Sequence, residues 1–196
     1  MQTKNYVKSI ATKKSLCEAA MKLINKRGYK NVKIKDITDT AAVAKGVFYY
    51  YFKSKEDVLF YSYVIADEIY TKHYNTSKNI PDFKASLLNF IELAYKEIEK
   101  FGREIIKSTI HISLNSNKSP FNNKRMFINY LRNLYFQFYP QKEVYHFDEF
   151  ADILLATLIG SEYVWSISQN NENLSDIVIR NVKLFLTGYI KNIQNS

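Results

Sequence analysis

Two groups of residues in this chain have types and spacings that could do chemistry. The first lies between positions 45 and 53. Phe48 and Phe52 are four apart, so on a helix they point inward together. Tyr49 and Tyr50 then face elsewhere, beside Lys45 and Lys53. A phenol can hydrogen-bond a phosphate oxygen and pack on a sugar or a thymine methyl, while lysine supplies charge. The alternative is that the Tyr49–Tyr51 run fills a core. Three consecutive tyrosines on one short helix cannot all be buried, so one or two need an external role. The second group is Leu155, Leu158, Glu162 and Trp165, spaced 3, 4 and 3, which sets a carboxylate among apolar neighbours. A buried carboxylate needs a partner or must stay protonated. It can serve as half of a salt bridge, sit on an exposed edge, or anchor a ligand in a pocket. Tyr95 and Tyr130, inward on their own helices, and Trp165 could wall such a pocket. Each singly also reads as core packing.

Other chemistry is missing from the pattern. His73, His111 and His146 have no metal-ligand spacing, and no glycine-rich phosphate loop occurs. Cys17, the 1 cysteine, sits at an apolar helical position and reads as a core residue, without disulfide or multi-cysteine zinc chemistry. His111 shares a stripe with Lys107, Ser108 and Asn115, which favours solvent. No catalytic set, metal or cofactor is expected, and a helical enzyme is the poorest reading.

The elements that hold these groups must be helices. Of 196 residues, 46% are hydrophobic, while Gly is 5 and Pro 3, which excludes disorder and collagen and leaves few breakers. The longest apolar stretch, near Ile153 to Ile159, is far shorter than the roughly 20 residues of a membrane span. No signal-peptide pattern opens the chain, so a soluble cytoplasmic protein is expected. Helices are predicted over 15–27, with Ser15 and Glu18 as a capping box, then over 34–41, 45–52 and from Lys55 to about 74 with Ser54 as cap. Five more follow: 81–101, 105–114, one between Pro120 and Pro140, 147–167 and 175–193. The fold class is all-α with about nine helices. The first three have helix-turn-helix proportions.

Charge marks the same division. Residues 1–55 hold 13 Lys/Arg and 3 Asp/Glu, whereas residues 56–196 hold 15 and 16. A basic head on a neutral body suggests a polyanion partner for the head, though a solvated lysine-rich surface gives the same count. The Lys53–Lys55 turn is therefore the expected boundary between domains 1–55 and 56–196.

The stretch Asp36-Ile37-Thr38-Asp39-Thr40-Ala41-Ala42-Val43-Ala44-Lys45-Gly46-Val47-Phe48-Tyr49-Tyr50-Tyr51-Phe52-Lys53-Ser54-Lys55-Glu56-Asp57-Val58-Leu59 resembles the DNA-binding motif of TetR-family transcriptional regulators. Ala19-Ala20, Leu23-Ile24 and Gly28 match that family's first helix. The resemblance covers about residues 14–60. It implies an all-helical homodimer, each subunit with a DNA-binding helix-turn-helix domain and a larger ligand-binding and dimerisation domain. It places DNA contacts at Lys35, Lys45, Gly46, Val47, Tyr49 and Tyr50, and a phosphate-binding lysine at Lys55. Lys53 joins them by charge. Ala42 stands where the family has a turn glycine, which costs roughly 1 kcal/mol if that residue is left-handed. Ala44 replaces a capping Ser, Lys33 a capping Thr, and Val47 a common Thr that would bring a hydroxyl.

The function this implies is a DNA-binding regulator, usually a repressor, on a palindromic operator. A small-molecule inducer in the C-terminal domain, held by Tyr95, Tyr130, Glu162 and Trp165, would relieve binding. The alternative is a nucleoid-binding structural protein on the same fold without an inducer. Helix 8 is apolar on several faces through Ile153, Leu154, Leu155, Leu158, Ile159 and Val164, and Ala156 and Gly160 allow close approach. With helix 9, through Ile179, Val182, Leu186 and Ile190, it is expected to form a twofold dimer.

Overall fold

The computed structural model describes residues 2–115 and 125–194, with side chains over 9–115 and 125–189. Among these residues there are nine α-helices and no strand: α1 (Gln2–Arg27), α2 (Ile34–Thr40), α3 (Lys45–Tyr51), α4 (Lys55–Ser77), α5 (Phe83–Ile98), α6 (Arg103–Leu114), α7 (Met126–Phe138), α8 (Val144–Ile167) and α9 (Leu174–Gln194). Short 3₁₀ turns span Tyr29–Asn31 and Glu99–Phe101.

Several ends differ from expectation for local reasons. Helix α1 begins at Gln2, so Ser15 lies inside it and caps nothing. Nothing between Gln2 and Ser15 breaks a helix, and a serine inside a helix costs only a few tenths of a kcal/mol. Asp82 caps α5, accepting from the Ala85 N–H at 2.7 Å, so the helix opens after Pro81 rather than at it. Gly102, at φ +89°, starts α6 two residues early. The predicted opening at Pro120 lies outside the described residues. Ser54 does cap α4, accepting from the Asp57 N–H at 3.3 Å.

The chain packs as two compact units. The first, called the head here, joins Met1–Ile65 to Phe101–Asn115; the second, the body, joins Ala66–Lys100 to Ser116–Ser196. The head core gathers Leu16, Cys17, Ala20 and Ile24 of α1 with Ile37, Phe48, Phe52, Val58, Leu59 and Ile105. Helix α6 enters this unit against α1. Asn25 donates to the Phe101 carbonyl at 2.6 Å, beside Gly102, whose positive φ turns the chain there. A Cβ at Gly102 would lie 2.4 Å from Asn25 Oδ1, and at φ +89° any other residue would be strained. The Cys17 thiol is fully buried, near the Val58 carbonyl at 3.7 Å, and burial pushes its pKa up to about 12.

The body is built on aromatic side chains. Tyr135 lies at ring-centroid distances of 5.2 Å from Phe150 and 5.6 Å from Phe147, and Phe150 reaches Phe185 and Tyr189 of α9. Helix α8 is, by length and composition, apolar enough to cross a membrane, but Phe147, Phe150, Leu154 and Leu158 on it are core residues of the body.

Candidate functional site

The helix-turn-helix is positioned by a few buried side chains. Ile37 and Thr38 of α2 and Phe48 of α3 are at most 2% exposed, with Phe52 at 4%. The turn closes by backbone bonds: the Ala41 N–H to the Ile37 carbonyl at 2.9 Å and the Val43 N–H to the Thr38 carbonyl at 3.0 Å. Ala42 within it has φ +53°, the left-handed conformation that strains an L-residue. Ala44 precedes α3 and offers no side-chain cap. At α2, Asp36 accepts from the Lys33 N–H at 2.8 Å; Lys33 has no acceptor to return the bond.

With Phe48 and Phe52 inward, the rest of α3 faces out as expected. Tyr50 is 80% exposed and Tyr49 50%, with Lys45 and Gly46 exposed and Val47 half-buried. The Lys45 ammonium lies 5.9 Å above the Tyr49 ring. Lys35, on the exposed side of α2, pairs with Asp39 at 2.8 Å, an interaction that raises its pKa. Lys53 is exposed at the start of the turn into α4. Lys55 is different. Its ammonium donates to the carbonyls of Tyr29 at 2.6 Å and Val32 at 2.8 Å and lies 3.9 Å from the Tyr29 ring centroid. The Tyr29 hydroxyl in turn donates to Glu56, holding that carboxyl below its usual range. Two of the three Lys55 donors therefore fasten the 3₁₀ turn to α4, a role the sequence did not announce. Burial lowers the pKa of that ammonium.

The body holds a buried polar chain. The Tyr95 hydroxyl donates to Glu162 Oε1 at 2.7 Å, and Tyr70 hydrogen-bonds Tyr95. Burial pushes the Glu162 carboxyl up to about 7, against the Tyr95 bond and the Arg125 charge, which both pull it down. Arg125 makes a forked pair with Asp67, Nε to Oδ2 at 3.0 Å and Nη2 to Oδ1 at 3.0 Å. Of the four body residues singled out from sequence, Tyr95 and Glu162 meet. Tyr130 instead stacks on Tyr74 at 4.4 Å and donates to Thr71. Trp165 donates to the Glu172 carbonyl at 2.9 Å. Asp67, Tyr70 and Arg125 were missed: Asp67 and Arg125 lie 58 residues apart, and no local pattern marks a pair at that separation.

One more surface is set apart by its composition. The outer side of α8 carries Ile153, Ala156, Gly160, Tyr163, Val164 and Ile167, all exposed. They recur at helical spacing, and a Cβ at Gly160 would meet no atom within 4 Å. On α9, Val182 and Leu186 are fully buried within the protomer, which corrects their reading as a face for a second subunit; Leu184, 69% exposed, is the outward large apolar residue among the described residues of this helix. The side chain of Ile190 lies outside the described residues.

Residues 16–61 match the family description "Bacterial regulatory proteins, tetR family". The segment is a tetR-family helix-turn-helix domain. Over 46 residues the chain is 48% identical to an HTH-type transcriptional regulator in the lacX 3′ region of Lactococcus lactis subsp. lactis, a match spanning 24% of each chain. Along nearly its whole length the fold is similar to that of tetR-family structures. FadR of Bacillus halodurans aligns at TM-score 0.69 and 19% identity, over 90% of this chain and 95% of that one. FadR of Bacillus subtilis, in complex with stearoyl-CoA, aligns at 0.68 and 18%, over 89% and 97%. FadR of Thermus thermophilus, a repressor in complex with lauroyl-CoA, aligns at 0.66 and 16%, over 89% and 93%. At such identities the likeness is one of fold. The exposed tyrosines and lysines of α2 and α3 lie inside the tetR-family segment, while the Glu162 network and the α8 stripe lie beyond it.

Proposed function

We propose that the chain is a cytoplasmic DNA-binding transcriptional regulator, acting as a repressor, in which the helix-turn-helix of the head binds DNA and the body binds ligand and dimerises; the head takes in 56–65 and 101–115 as well as the expected 1–55. The observation that carries this reading is the outward face of α3: Tyr49, Tyr50 and Lys45 stand exposed, inside the matched segment, on a basic unit. That unit holds 15 Lys/Arg and 6 Asp/Glu against 13 and 13 in the body. Lys35, Lys45, Lys53 and the third donor of Lys55 serve as phosphate contacts, and Gly46, Val47, Tyr49 and Tyr50 face the major groove.

The α8 stripe supports a twofold dimer, since an apolar helical face left open in one protomer is covered by its symmetry mate. Such a dimer sets two α3 helices about 34–36 Å apart, matching a palindromic operator. A small molecule held in the body relieves operator binding by preferring the dimer shape that misplaces α3. Two FadR structures of similar fold are complexes with an acyl-CoA, which supports a small-molecule ligand here. Tyr95 and Glu162 are its polar anchor.

Genome-wide footprinting with the full chain tests the reading. One or a few palindromic sites are expected; many scattered sites would favour a nucleoid structural protein on the same fold. Sedimentation showing a monomer at all concentrations would overturn the dimer and with it the palindrome.

A further inference from the structure

The segment from Lys33 to Lys53 contains no arginine, asparagine, glutamine, histidine or glutamate. That list is most of the standard vocabulary of base-edge hydrogen bonding. Arginine forks onto guanine O6 and N7, asparagine and glutamine onto adenine N6 and N7, and glutamate accepts from cytosine N4. The two acids present are occupied: Asp36 by the Lys33 N–H at 2.8 Å and Asp39 by Lys35 at 2.8 Å.

What α3 offers instead is apolar. Tyr49 and Tyr50 present their rings, Val47 its methyls at half burial, and Ala44 an exposed methyl at the start of the helix. Gly46 leaves the surface open beside them, for a Cβ there would meet no atom within 4 Å. The lysines stand at either end, and Lys45 leans over the Tyr49 ring at 5.9 Å. The centre of this face is thus aromatic and aliphatic and its edges are cationic. In the major groove the one base feature that such a surface selects is the C5-methyl of thymine.

Resting on the reading of α3 as the element that enters the major groove, we propose that this protein reads its operator through thymine methyl groups packed on Val47 and the rings of Tyr49 and Tyr50. The lysines bind the backbone without choosing sequence. Each half-site then carries thymines where it faces α3, and no guanine is read.

The probe is duplex DNA selected from a random library by the full-length protein, then resynthesised with deoxyuridine for thymidine. This removes the methyl and keeps the base pair. The expected result is at least a tenfold loss of affinity at fixed salt, with an unchanged salt dependence because the phosphate contacts remain. Replacing guanine by 7-deazaguanine should change affinity less than twofold. Val47→Ala or Tyr49→Ala should narrow the thymidine-to-deoxyuridine ratio. Selection of no sequence at all would overturn the DNA-binding reading and this inference together. A selected sequence that binds equally well with deoxyuridine, or that depends on guanine N7, overturns methyl readout alone. So does a ratio unmoved in both variants.

Discussion

In the head, the charged side chains of α2 and α3 stand in solvent around a core of Ile37, Phe48 and Phe52. In the body, Asp67, Arg125 and Glu162 reach inward to one another's neighbourhood and to Tyr70 and Tyr95. Exposed lysines lose little by lacking a fixed partner, because water solvates them, and they remain available to a polyanion. Inward carboxylates and guanidinium have no such freedom: each must be matched inside the protein, at a desolvation cost that apolar residues would have avoided. Such an arrangement fits the ligand anchor proposed above.

Salt is the largest lever on the head. The four lysines proposed as contacts would give a dimer about eight phosphate contacts, so log K should fall with log salt at a slope of roughly −7. Between 50 and 200 mM salt that is about four orders of magnitude in affinity. Lys45→Ala should flatten the slope by about 2 per dimer without a change in thermal stability. Lys55→Ala should do both, because it also releases the Tyr29 and Val32 carbonyls. If Lys55→Ala lowers the melting temperature but leaves the slope intact, that lysine is a clip and not a DNA contact.

Next in size is the body's ion pair. Arg125→Met leaves Asp67 without its fork in a site only partly open to water, at an expected cost of about 2–3 kcal/mol in chemical denaturation. The salt slope of DNA binding should stay the same. A shifted slope would mean that the contrast between the two units is not one of separate tasks.

The pH dependence of stability follows from Glu162. Its carboxyl titrates at about 7 in the folded chain against a usual 4.5, so the native state holds a proton that the unfolded state has lost. Stability is therefore greatest below about 4.5 for this group and declines as pH rises through 7, by roughly 3 kcal/mol in all. Glu162→Gln should remove that part of the pH profile while leaving DNA binding without ligand untouched. A profile identical to that of the parent would mean that the carboxyl is solvated.

The smallest effect lies in the turn of the head. Ala42→Gly relieves the left-handed strain and should add about 1 kcal/mol to stability. Melting curves of the variant would show it; no gain would mean that the turn's bonds, and not the residue type, set that conformation.

How much of this could be read in advance depends on the range of the interactions. The outward Tyr49 and Tyr50 followed from Phe48 and Phe52 four residues apart, and the strain at Ala42 from the turn glycine that the resembling motif carries there. Both are local. The placement of α6 in the head hangs on Asn25 meeting Phe101, 76 residues later in the chain. Pattern within a helix carries no trace of that. Glu162 was conspicuous because a carboxylate interrupts an apolar stripe, but its partner, Tyr95, looked like any inward tyrosine. The apolar face of α9 was visible too, yet periodicity cannot say whether such a face meets its own body or another subunit.

Cys17 gives the head a reporter of its own. Its thiol is the sole one in the chain, is shut inside the head core and, with its pKa near 12, is almost wholly protonated at neutral pH. Thiol reagents attack the thiolate, so they should label the native chain only in the moments when the head opens. The labelling rate, followed with and without DNA or a candidate ligand, then counts those openings in the unmodified protein, while the cysteine-free body stays silent to the reagent.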